Sequence, residues 1–83
     1  MPIVTFTSDY GWKDPDTAVV RGMIYSEMLR SGIAAPVVDV SHDVSPRNHQ
    51  EAAYILRGAY NSFPKKSVHV VCLLYTSPSP RDL

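Results

Sequence analysis

Hydrophobic residues dominate the first seven positions. Ile3, Val4 and Phe6 are strand formers, and no polar alternation marks a solvated face. Such a run predicts a strand over residues 2–7 that is covered on both sides. "SDYG" breaks it, and Gly11 is free to take a φ that other residues avoid. The period then changes: Val19 or Val20, Met23, Ile24 and Glu27-Met28 recur at helical spacing, predicting a helix from about residue 15 to residue 30. Asp14 is the expected cap, Pro15 the first helical residue, and Ser31-Gly32 the stop. "APVVDVSHDVSP" predicts a second strand over residues 36–40 and a polar loop. Asn48 with Glu51 three residues on has the capping-box spacing, with Ser45-Pro46 as a competing start. Ala52, Ala53, Ile55, Leu56, Ala59 and Tyr60 give a broad apolar face, with Tyr54 and Tyr60 expected at core or rim positions. Phe63-Pro64 closes the helix, Lys65-Lys66 turns the chain, and "SVHVVCLL" opens a third strand.

The order β-α-β-α-β predicts an α/β fold with a partial parallel sheet and helices on its faces. Ligands of such sheets lie outside the carboxyl ends of the strands, which selects residues 8–11 and 41–46.

Composition narrows the class. The chain is 45% hydrophobic, with eight basic and eight acidic residues among 83. That is globular chemistry, and the neutral balance gives no electrostatic case for nucleic acid or an anionic membrane. The single Cys72 excludes an internal disulfide framework. No span approaches the roughly 20 apolar residues of a membrane helix, and "MPIVTF" lacks a basic leader, so a cytoplasmic location is expected.

Asp9 is the leading chemical candidate. A carboxylate after the first strand accepts two hydroxyls from a vicinal diol, holds a metal, or closes an Asx-turn on its own backbone. Asp14 and Asp16 suit a helix N-terminus, or attract a cationic substrate group. Trp12, beside Asp9, offers a face for a base or sulfonium, or packs on the core. Asp39, His42 and Asp43 follow the second strand. With Asp9 or His49 they would make a metal cluster, but no compact ligand motif supports one, and no metal or cofactor is expected. His69 reads as a strand residue. Ser8, Ser41 and Ser45 lack a nucleophile-elbow pattern, and Cys72 lacks a basic partner.

"VTFTSDYGWKD", "RGMIYS", "VVDVSHDVSP" and "EAAYILRGAYNSFPKKSVHVV", in that order, resemble the N-terminal domain of the S-adenosylmethionine hydroxide adenosyltransferase family, which includes related chlorinases and fluorinases. The resemblance implies a two-domain, homotrimeric enzyme that cleaves S-adenosyl-L-methionine at C5′–S with water or hydroxide, giving adenosine and methionine. It implies Asp9 on the ribose diol, Asp14, Asp16 and Trp12 along the substrate, and Arg47 near the adenosyl pocket. Arg21 is implied as a helix-positioning residue, and Asp39 and His42 as scaffold and site wall. Asp16-Thr17-Ala18 stands where Tyr-Val-Gly is common, Arg47 where an aromatic or apolar residue is usual, and Asn48 where aspartate is usual. These departures do not separate hydroxide from halide as nucleophile.

The family's water-preparing Asp and Arg belong to a segment like "VDPGVGSxRR" directly after "VHV", with a histidine much further along. Here the chain reads "CLLYTSPSPRDL" instead. That stretch resembles the in-frame translation of a transposon-end adapter used in sequencing libraries. The expected division is therefore residues 1–71 as a truncated N-terminal domain and residues 72–83 as a non-native tail. No catalytic residue is assigned within the chain, and it is expected to be inactive by itself.

Overall fold

The computed structural model describes residues 2–74. The elements are β1 (Val4–Ser8), α1 (Asp16–Arg30), β2 (Val37–Ser41), α2 (His49–Ala59), a short 3-10 turn (Tyr60–Ser62) and β3 (Val68–Cys72). The three strands form one parallel sheet in the order β2-β1-β3. The expected α/β architecture is the observed one. All five residues of β1 are buried because β1 is the central strand.

Side chains alternate across β1. Val4 and Phe6, with Val37, form the core against Val20, Ile24 and Met28 of α1. Thr5 and Thr7 point to the other face, where Thr5 Oγ1 and His69 Nδ1 share a hydrogen bond of 2.7 Å. Thr5, Thr7 and Ser8 are fully buried, so the middle of the sheet is unusually polar for a buried strand.

The helix boundaries follow local chemistry with one correction. Asp14 does not cap α1. Pro15 occupies the capping position with φ −75° and ψ 0°, no side chain among the described residues caps the helix, and Asp16 is its first residue. Thr17 anchors the first turn instead, its hydroxyl donating to the Gly11 carbonyl at 2.7 Å. At the other end Gly32, with φ +71°, allows the Gly32 and Ile33 N–H groups to bond the Leu29 and Met28 carbonyls. Asn48 caps α2 as expected, accepting the Glu51 N–H at 2.9 Å. The capping box is not reciprocal, however, because the Glu51 carboxylate accepts the Ser45 N–H.

Packing of the helices is uneven. Thr17 is the buried residue of α1, while Val19, Met23 and Leu29 are exposed. A three-stranded sheet gives the helix only a narrow surface, so the stripe 20/24/28 is half-buried and its flanks are exposed. Tyr54 and Tyr60, expected at core or rim, are exposed. The apolar side of α2 that meets the sheet runs through Ala52 and Leu56 instead. Of the expected tail, residues 75–83 lie outside the described residues.

Candidate functional site

All three strands end around Asp9. Its carboxylate accepts the Arg47 N–H at 2.6 Å on Oδ2 and the Leu74 N–H at 2.7 Å on Oδ1. It thereby joins the loop after β1, the loop before α2 and the chain just past β3. The side chain is buried, and both bonds are of the charge-assisted kind. The Asx-turn alternative is replaced by this long-range arrangement. Arg47 has φ +59°, a left-handed backbone that costs a non-glycine residue about 1 kcal/mol. β3 ends at Cys72, and Leu74 just past it contributes a backbone donor to Asp9.

A second network lies directly behind Asp9. The Asp39 carboxylate accepts Arg21 Nη2 on Oδ2 and His42 Nε2 on Oδ1, the latter at 2.8 Å. His42 Nδ1 meets Ser8 Oγ at 2.5 Å, and Ser8 Oγ accepts the Tyr10 N–H at 3.2 Å. The His42 ring is buried, with Phe6 and Trp12 edge-to-face at centroid distances of 4.7 and 4.9 Å. Burial alone would raise the Asp39 carboxyl. The hydrogen bonds from His42 and Arg21, with the Arg21 charge, outweigh it and hold the carboxyl below the usual aspartate range.

Sheet register explains why Ser8 meets His42. β1 and β2 pair Phe6 with Asp39 but Thr7 with Ser41, so Val40 is an extra residue on β2. This bulge advances β2 by one position and brings His42 level with Ser8. No sequence signal identifies the bulge. The hydroxyl of Ser8, judged by sequence only for lack of a nucleophile motif, is the group that sequence reasoning missed.

The remaining candidates are distributed around this centre. Trp12 is 62% exposed, with its ring perpendicular to that of His42. Asp14 and Asp16 are exposed at the start of α1. Cys72 lies beside the Tyr10 hydroxyl, and burial pushes its thiol up despite that hydrogen bond, so the thiolate is disfavoured. Burial, followed by the neighbouring Cys72, also raises Tyr10. Asp9, Asp39 and His42 do not converge on one point. Among the described residues, no group of three or more His, Cys, Asp or Glu is placed to hold a metal ion. The cavities beside α1, the larger about 390 Å³ and lined by Tyr25, Met28 and Ile33, sit at the amino ends of the strands, away from Asp9, and are lined mainly by apolar residues, with Glu27 and Ser31 on the wall of the second. No helix among the described residues is long and apolar enough to cross a membrane.

Fold and site define a parallel α/β domain whose polar centre lies at the carboxyl ends of its strands, built on an aspartate after β1. Residues 4–81 match the SAM hydroxide adenosyltransferase N-terminal domain, and the chain belongs to that family. The chain is similar to the (R)-S-adenosyl-L-methionine hydrolase of Methanocaldococcus jannaschii, with 32% identity over 81 residues. That alignment takes in 98% of this chain and 30% of the relative. A conserved hypothetical protein from Thermus thermophilus superposes with a TM-score of 0.70 at 32% identity, covering 86% of this chain and 28% of that one. The chain thus spans under a third of the length of the proteins it matches.

Proposed function

We propose that this chain forms the ribose-binding part of an enzyme that hydrolyses S-adenosyl-L-methionine to adenosine and L-methionine. The observation that carries the reading is the Asp9 carboxylate, fixed where the three strands end. An ionised carboxylate has about four acceptor positions, so two backbone donors leave room for two hydroxyls of a ribose diol. The exposed Trp12 indole beside it offers an aromatic surface to the adenosyl group. Asp14 and Asp16, exposed at the start of α1, are the carboxylates this reading assigns to the sulfonium charge.

The reaction needs little acid catalysis. The water or hydroxide oxygen bonds C5′ as the C5′–S bond breaks, and its electron pair stays on sulfur, which leaves as the neutral thioether of methionine. A proton released from attacking water passes to solvent or to a base. What the protein must supply is orientation and exclusion of bulk water. Hydroxide is preferred over halide because the Methanocaldococcus jannaschii relative is named as a hydrolase. Its name specifies the R form of the substrate, so both sulfonium epimers belong in the assay. We carry over a homotrimer, with the pocket completed by a neighbouring subunit, for the longer protein.

Adenosine titrated into the ¹⁵N-labelled chain tests the ribose contact. A weak saturable response centred on Asp9, Trp12 and Arg47 is expected, lost with 2′-deoxyadenosine and in Asp9→Ala. An equal response to the deoxynucleoside refutes the diol assignment. The 83-residue chain by itself is expected to release no adenosine from S-adenosyl-L-methionine, since it carries no residue assigned to preparing the water. Turnover above the blank overturns that expectation.

A further inference from the structure

We propose that Arg21, Asp39, His42 and Ser8 form a hydrogen-bonded relay that positions Asp9, with His42 and Ser8 as its positioning residues. The proposal deepens the ribose-binding reading of Asp9, on which its ligand arm rests. The relay itself stands on hydrogen-bond geometry.

The direction of every bond follows from what each group can donate. Arg21 has only donors, so Asp39 must accept from it. An ionised Asp39 also accepts from His42, which puts a proton on Nε2. The opposite nitrogen, Nδ1, then presents its lone pair to Ser8, and the Ser8 hydroxyl donates to it at 2.5 Å. Ser8 Oγ keeps a lone pair for the Tyr10 N–H. In this arrangement the His42 Nε2 proton, the Ser8 hydroxyl and the Tyr10 N–H each have an acceptor. A proton on His42 Nδ1 would instead aim a donor at Ser8 Oγ and leave the Ser8 hydroxyl proton to find another acceptor while its residue is fully buried.

The relay grips both sides of Asp9. Ser8 precedes it and Tyr10 follows it, and the Ser8 Oγ bond to the Tyr10 N–H closes a turn around it. His42 holds the same segment twice, its ring on Ser8 Oγ and its carbonyl accepting the Gly11 N–H at 2.8 Å. The ring is wedged between Phe6 and Trp12, so it has little freedom to turn. Arg21 extends the chain into α1, through a partly exposed ion pair with Asp39. Asp9 is thus presented on a segment whose backbone is fixed before and after it, which suits a carboxylate that must meet two hydroxyls in one geometry.

The test is NMR on the ¹⁵N-labelled 83-residue chain. Ring ¹⁵N shifts should show His42 as the neutral form protonated at Nε2. The Arg47 and Leu74 amide protons should lie downfield, and Asp9→Asn should move both upfield. Ser8→Ala should reproduce at least half of that movement with the spectrum still dispersed, and should weaken adenosine binding about tenfold, the worth of one hydrogen bond of about 1.4 kcal/mol. Asp39→Asn provides a second route should Ser8→Ala unfold. Arg21 will claim the amide oxygen, the amide nitrogen will face His42, and the ring should switch to the form protonated at Nδ1. A doubly protonated, Nδ1-protonated or random-coil His42 in the wild type overturns the relay. So do unmoved Arg47 and Leu74 amides in a folded Ser8→Ala, or an unchanged tautomer in Asp39→Asn. Adenosine failing to bind the wild type while these spectral results hold removes the ribose reading alone and leaves the relay standing.

Discussion

Asp9 Oδ1 accepts the backbone N–H of Leu74 at 2.7 Å across 65 positions of sequence, while its other oxygen holds Arg47. One side chain therefore joins the ends of β1 and β3 to the loop before α2. The carboxylate contributes to folding before any ligand arrives.

Replacing Asp9 with Ala should destabilise the domain by about 3 kcal/mol. Two charge-assisted hydrogen bonds are lost, and the Arg47 and Leu74 N–H groups lose their acceptor. Urea denaturation of the two proteins at one pH checks this value. A change below about 0.5 kcal/mol, the level of an ordinary surface substitution, would remove Asp9 from the structural account.

Asp39 should make stability fall at low pH. Its folded-state carboxyl lies below the unfolded value, so its contribution is complete above about pH 4 and is lost as pH drops through the folded value. Asp39→Asn should be less stable than wild type near neutrality, with the gap narrowing below about pH 4. A gap that widens on acidification would reverse the assigned direction.

Thr7 presents the opposite case. Its Oγ1 is buried and has no hydrogen-bond partner among the described residues, so its hydroxyl gives up hydration without a replacement bond. Thr7→Val keeps the branched shape and should stabilise by about 1 kcal/mol. Thermal melts followed by circular dichroism would show a higher Tm. A lower one would mean that the hydroxyl has a partner in solution.

Asn48→Ala should cost about 1 kcal/mol, through loss of the bond that caps the Glu51 N–H. Asn48→Asp should restore most of it, since aspartate caps equally well and favours the positive end of the helix. Equal melting of wild type and Asn48→Ala would show the cap to be redundant with the Glu51 bond to Ser45.

Legibility tracked the range of the interaction. Gly32 and Asn48 were readable because a left-handed stop and a side-chain cap are decided within a few residues. Asp14 was misread as a cap because two rules compete at "DPD". Pro15 took the capping backbone itself, and the Thr17 hydroxyl bonded back to Gly11. Tyr54 and Tyr60 were misplaced because a helical apolar face extends over more positions than a three-stranded sheet covers. Asp9 stood out as a carboxylate between a strand and a glycine, but nothing nearby named Arg47 or Leu74 as its donors.

The sequence by itself determined the β-α-β-α-β order, the parallel sheet it implies, and the family. Those follow from hydrophobic period, local turn chemistry and four ordered segments, each contained in a short stretch of chain. Only the tertiary structure decided that β1 lies between β2 and β3, and that the bulge at Val40 sets His42 against Ser8. It alone decided that Arg21, 18 positions before Asp39, is that residue's ionic partner. Register and strand order depend on which surfaces meet, and a one-residue slip between two strands changes every partner beyond it.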